Sequence, residues 1–130
     1  MLDVKGIHAY YGLSHILFDV YLQVESGELV CLLGRNGAGK STTMRSIMGL
    51  TPPRTGNVKF YDEEMTGKPS YKIAQKGMGY VPDNRLIFPD LTVRQNLEVA
   101  IKKSEHYKGD PWTIERIYEI FPKLKILEKH

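Results

Sequence analysis

Cysteine is almost missing from this sequence, and with it any internal disulfide framework: Cys31 stands alone among 130 residues. No apolar run nears the roughly 18 residues that read as a membrane span. The first residues, MLDVKGIHAYYG, place no basic cap before an apolar stretch, so no secretory signal is read there. Neither sign of charge dominates: 18 basic and 15 acidic side chains give a net charge of +3, too mild an imbalance to argue for nucleic acid. The positive surplus lies in residues 66–130 without a dense block, as expected of a solvated surface. Repeats and low-complexity tracts are also lacking. What remains, 42% apolar and 25% charged, is ordinary for one soluble globular domain, with the cytoplasm as its default compartment.

Hydrophobic periodicity gives the coarse layout. Ile16, Phe18, Val20, Leu22 and Val24 alternate with Leu17, Asp19, Tyr21 and Gln23, the period of a half-buried strand. After the turn Glu25-Ser26-Gly27-Glu28, Leu29–Leu33 is continuously apolar, as in a strand buried on both faces of a parallel sheet, and Cys31 would be buried within it. A helix is expected from about Lys40, with Met44, Ile47 and Met48 on one face and Gly49 as its stop. Val58 and Phe60 mark a short strand closed by the acidic turn Asp62-Glu63-Glu64. Residues 70–76 suit a short helix and Met78–Val81 a short strand ended by Pro82. Thr92 and Gln95 have capping-box spacing ahead of Val93, Leu97, Ala100 and Ile101. Asp110 and Pro111 are read as the start of a last helix through Ile114, Ile117, Tyr118 and Phe121, ended by Pro122. The order is α/β.

Between the apolar strand and the first helix lies Gly34-Arg35-Asn36-Gly37-Ala38-Gly39-Lys40-Ser41, which fits GxxxxGK followed by Ser or Thr. Glycines let the backbone curl with its N–H groups inward around phosphate oxygens, and the helix N-terminus adds a positive dipole. Lys40 supplies a charge for β- and γ-phosphates and Ser41 a hydroxyl for Mg²⁺. A guanine-reading NKxD is absent, and DxxG occurs only as Asp3-Val4-Lys5-Gly6, ahead of the loop. His8, His15, His106 and His130 have no metal-ligand spacing.

Residues around the loop carry a resemblance. Tyr10-Tyr11-Gly12 precedes it by about two dozen residues, LLGRNGAGKST contains it, and GYVPDNRLIFPDLTVRQNL follows. Together these resemble the N-terminal portion of an ATP-binding-cassette (ABC) transporter nucleotide-binding domain. SHILFDV, IMGLTPPRTG and RLIFPDLTVRQNLEVA are most similar to the LivF-like ATPases of branched-chain amino acid importers, with urea-importer ATPases much alike. The resemblance implies a partial phosphate-loop ATPase core, with an N-terminal antiparallel β subdomain and core over residues 1–96 and the start of a helical subdomain over 97–130. It implies that Tyr11 stacks on adenine, with Tyr10 the nearby alternative, and that Asn36, Gly37, Ala38, Gly39, Lys40, Ser41 and Thr42 hold ATP, Ser41 also holding Mg²⁺. Asp83 takes the position where many members carry a glutamine that reaches Mg²⁺ and the attacking water. Importers of this type often have an acidic residue there, so Asp83 fits the closer match, as the position of that glutamine and a candidate metal ligand with a shorter reach; the plain alternative is a turn residue after Pro82. Arg85 beside it reads as surface charge. The implied partners are membrane permease subunits and a second cassette, with the chain peripheral at the inner face of the cell membrane, not inserted in it and not bound to nucleic acid.

The family's remaining motifs do not occur in these residues: no LSGGQ-like signature, no apolar run ending in Asp after the loop, no following catalytic glutamate and no switch histidine. The expectation is therefore a piece of a domain nearly twice as long, which binds ATP but turns over little of it alone. The alternative is a naturally short, non-catalytic nucleotide-binding protein.

Overall fold

The computed structural model describes residues 1–84, 86–101 and 109–130; Arg85 and His106, named above, lie outside the described residues. The chain divides into two compact units, Met1–Tyr80 and Val81–His130.

The first unit is built on a four-stranded antiparallel sheet of order β2-β1-β3-β4, from β1 (Leu2–Tyr11), β2 (Ser14–Val24), β3 (Thr55–Phe60) and β4 (Glu63–Glu64). Two helices, α1 (Lys40–Ile47) and α2 (Ser70–Gln75), belong to the same unit. The core gathers Val4, Ile7, Ala9 and Leu17 from the hairpin, Val58 and Phe60 from β3, Ile47 and Met48 at the end of α1, Met65, and Ile73 of α2. Burying such aliphatic side chains contributes about 1.5–3 kcal/mol each.

β1 does not stand out by periodicity, and the reason is a bulge. Val4 is buried at an even position, Ile7 and Ala9 at odd ones. The inward face changes parity at Gly6, where φ is +56° and the pairing shifts register against both neighbours. β2 slips in the same way at Asp19, whose φ is +52°. Leu17 is therefore buried before the slip, and Val20, Leu22 and Val24 are half-buried after it. This corrects the expected alternation: Phe18, placed by period two on the buried face, is 63% exposed.

Two expected strands are not formed. Leu29–Leu33 and Met78–Val81 carry no strand pairing. Val30 and Leu32 line an apolar cleft of about 170 Å³ with Met44, Ile47 and Met48, whereas Leu29 and Leu33 are 96% and 88% exposed. Cys31 is exposed too, not buried as its apolar neighbours suggested. A strand apolar on both faces needs parallel neighbours, and no parallel pair exists among the described residues.

The second unit holds α3 (Val93–Ala100), α4 (Ile114–Ile120) and α5 (Pro122–Ile126). The capping box forms as the spacing predicts: Thr92 Oγ1 accepts from Gln95 N at 3.2 Å, and Gln95 Oε1 from Thr92 N at 2.9 Å. Thr92→Ala is expected to cost about 1 kcal/mol of local stability, read as faster exchange of the Gln95 amide with unchanged protection in β1. Asn96 ties down the preceding loop, donating to Leu91 O at 2.9 Å and accepting from Phe88 N at 2.9 Å. The expected cap of the last helix is corrected. Thr113, not Asp110, stands directly before α4 and accepts from Arg116 N at 3.1 Å. Pro122 does end α4, and as the first residue of α5 it also starts the next turn. No helix among the described residues is long and apolar enough to cross a membrane.

Candidate functional site

The glycine-rich loop opens directly into α1, as the motif requires. Gly37 and Gly39 take left-handed conformations, φ +83° and +92°, and Gly39 is the N-cap. Gly39 also packs close to β2: a Cβ there would lie 2.7 Å from Leu17 Cδ2, the end of a side chain. The loop is thus pressed against the sheet at the one glycine that turns it into the helix.

No side chain caps α1. The first hydrogen bond into the helix runs from Thr43 N to Gly39 O at 2.8 Å, with the Thr43 hydroxyl on the same carbonyl at 3.0 Å. Helix geometry leaves the amides of Lys40, Ser41 and Thr42 without an acceptor inside the helix. Three amides at a positive dipole end form an anion site. Lys40 is folded back over the loop, its Nζ donating to Gly34 O at 2.7 Å and to Arg35 O at 2.8 Å. Its ammonium therefore lies at the loop, where an anion bound by the amides would meet it. Asn36, Gly37 and Ala38 are exposed at the tip, and so is Ser41 in the first turn of α1.

This donor set suits a triphosphate, which needs several N–H groups and one cation. It also suits Mg²⁺ held mainly by phosphate and water. Ser41 can add one hydroxyl ligand. No group of three or more His, Cys, Asp or Glu residues able to hold a metal exists among the described residues.

Tyr11 ends β1, half exposed, and the hydroxyls of Thr51 and Thr42 hold its phenol below its usual pKa. The structure thus joins Tyr11 to the first turn of α1 through Thr42. Tyr10, the alternative stacking residue, is engaged elsewhere: it stacks on His15 with ring centroids 4.2 Å apart, and the Arg54 guanidinium lies 4.2 Å from its ring centroid. His8 and His15, without ligand spacing in the sequence, are brought together across the hairpin, His8 Nδ1 to His15 Nε2 at 3.0 Å. Asp83 sits in the second unit, exposed in the turn after Pro82. Thr51 and Arg54 were not among the residues singled out in the sequence. They stand in the Pro-Pro-Arg loop after α1, where nothing but the fold brings them to Tyr11 and Gly12.

A phosphate-type loop pressed on an antiparallel sheet and opening into a helix defines the class: an α/β nucleotide-binding cassette. Residues 17–130 match the family described as ABC transporter, and the chain belongs to that family. It is 35% identical over 127 residues to the high-affinity branched-chain amino acid transport ATP-binding protein BraG of Pseudomonas aeruginosa, covering 96% of this chain and 53% of that protein. It is 38% identical over 101 residues to the lipopolysaccharide export system ATP-binding protein LptB of Escherichia coli, covering 78% and 42%. Among solved structures it resembles a dimeric ATP-binding cassette in a post-hydrolysis state bound to ADP and Pi, with a TM-score of 0.73 at 26% identity, covering 100% of this chain and 61% of that one. The chain thus spans about half the length of the curated relatives it matches.

Proposed function

We propose that this chain is the nucleotide-binding portion of the ATPase of an ABC importer that takes up branched-chain amino acids. The observation that carries the reading is the loop Gly34–Ser41 opening into α1 with the Lys40 ammonium over it. Asn36, Gly37, Ala38, Gly39, Lys40, Ser41 and Thr42 hold the phosphates of ATP, Ser41 holds Mg²⁺, and Tyr11 stacks on the adenine. Similarity to BraG over nearly the whole chain supports the importer and its solute class.

Phosphoryl transfer is mostly positioning and charge neutralisation. These residues supply the phosphate cradle and one hydroxyl for the metal, so the chain alone binds ATP with little turnover. The working assembly pairs two cassettes beneath membrane permease subunits, peripheral at the cytoplasmic face. The test is ATP hydrolysis by the full-length protein reconstituted with its permease in liposomes. Branched-chain amino acids with their binding protein are expected to stimulate hydrolysis. A second reading, export of a lipid-linked saccharide, is favoured by the identity with LptB. It gains if hydrolysis responds to lipopolysaccharide and ignores amino acids.

A further inference from the structure

Arg54 makes three attachments to the β1–β2 hairpin, and two of them end at the chain neighbours of Tyr11. Its backbone N–H donates to His8 O at 2.8 Å. Its Nη2 donates to Gly12 O at 2.6 Å, and its guanidinium lies 4.2 Å from the Tyr10 ring centroid. Tyr10 and Gly12 are the two chain neighbours of Tyr11. Thr51, three residues before Arg54, acts with Thr42 on the Tyr11 phenol, lowering its pKa. The loop from α1 to β3 therefore grips the tip of the β1–β2 hairpin at both sides of one tyrosine. Without that grip the hairpin tip is a short turn with Leu13 fully in solvent.

We propose that Arg54 is a positioning residue for the nucleotide base: it fixes the end of β1 so that the Tyr11 ring is presented to the base at a set distance from the phosphate loop. This rests on the proposed reading of Tyr11 and of the loop. The chemistry calls for arginine. A planar guanidinium donates in its plane to a carbonyl while its face lies on an aromatic ring, whereas an ammonium is a compact point charge that does not replace both contacts. The base is the part of the nucleotide that depends on Arg54; the phosphates are held by groups on α1 and its loop.

The test compares Mg-ATP with Mg-tripolyphosphate, which has the phosphates and no base, by calorimetric titration of the full-length protein. Arg54→Ala is expected to weaken ATP binding about tenfold, the loss of one charge-assisted hydrogen bond with its ring contact, and to leave tripolyphosphate within about twofold. Arg54→Lys, which keeps the charge and the fold, is expected to fall between the two and carries the test if the alanine variant does not fold. Tyr11→Ala is expected to lose the same base-dependent affinity, and the double variant to lose little more than either single one. Equal losses for ATP and tripolyphosphate, or no loss for ATP, would overturn the role of Arg54. If Tyr11→Ala shows the base-dependent loss and Arg54→Ala does not, only this inference fails. If neither Tyr11→Ala nor Lys40→Ala affects ATP binding, the reading of the whole site fails with it.

Discussion

Lys40→Ala is expected to weaken Mg-ATP binding by the full-length protein roughly a hundredfold, the loss of charge-assisted hydrogen bonds worth about 2–3 kcal/mol. The ammonium lies over the loop and donates to two of its carbonyls, Gly34 O and Arg35 O. A bound triphosphate exchanges these neutral acceptors for anionic oxygens, so the gain from Lys40 is realised only when phosphate is present. Removing the side chain leaves the three first amides of α1 and the helix dipole, which supply the residual affinity. The fold is expected to change little, because Lys40 is a helix-start residue outside the core and alanine favours helix. Calorimetric titration with ATP checks the first statement and thermal unfolding the second. Arginine at this position is expected to rescue poorly, since a forked guanidinium does not fit a cradle closed by a point charge. Unchanged affinity in Lys40→Ala would mean that the loop is a glycine-rich turn capped by a lysine and nothing more.

What the sequence made legible is what depends on near neighbours. The loop, the helix from Lys40 and the Thr92 box are set by residues within a few positions and stand where spacing places them, while the turn expected over Asp62-Glu63-Glu64 falls at Tyr61-Asp62, with Glu63 and Glu64 paired to β3 as β4. Apart from that turn and the cap of α4, which falls at Thr113 and not at Asp110, the misreadings share one cause, which is dependence on distant partners. Leu29–Leu33 has the composition of a central strand, but pairing is a property of neighbours and not of the run. The slips at Gly6 and Asp19 hide β1 and misplace Phe18, because a single bulge reverses every later side chain. At the site, the loop residues were legible because their chemistry is contiguous. Thr51 and Arg54 were not, because each acts on Tyr11 or its neighbours from about forty positions away, as the Gly12–Arg54 bond shows.

The largest stability effect is expected at a residue with no side chain and no part in binding. Gly56 lies in β3 opposite the β1 bulge, where Lys5 pairs with Asn57 and His8 with Thr55, so that three steps along β1 face two along β3. Its φ is +83°, which an L side chain adopts only under strain. A Cβ built there would lie 2.5 Å from Lys5 O and from Gly6 C, and closer still to Gly6 O. These are backbone atoms of the central strand, which cannot swing aside as a rotamer would. Gly56→Ala therefore combines a positive-φ penalty of about 1 kcal/mol with overlap that is relieved only by parting β1 from β3, and a loss of roughly 3 kcal/mol or more is expected. That is a large fraction of the stability of an ordinary domain. The variant is expected to appear in the insoluble fraction, or to melt at least about 10 °C lower, for a unit of this size. Gly67→Ala is the control: its φ is also positive, +71°, but no atom lies within 4 Å of the added Cβ. Equal melting shifts in the two variants would mean that backbone conformation alone sets the cost, and that the close approach of Gly6 to Gly56 does not hold β1 and β3 in register.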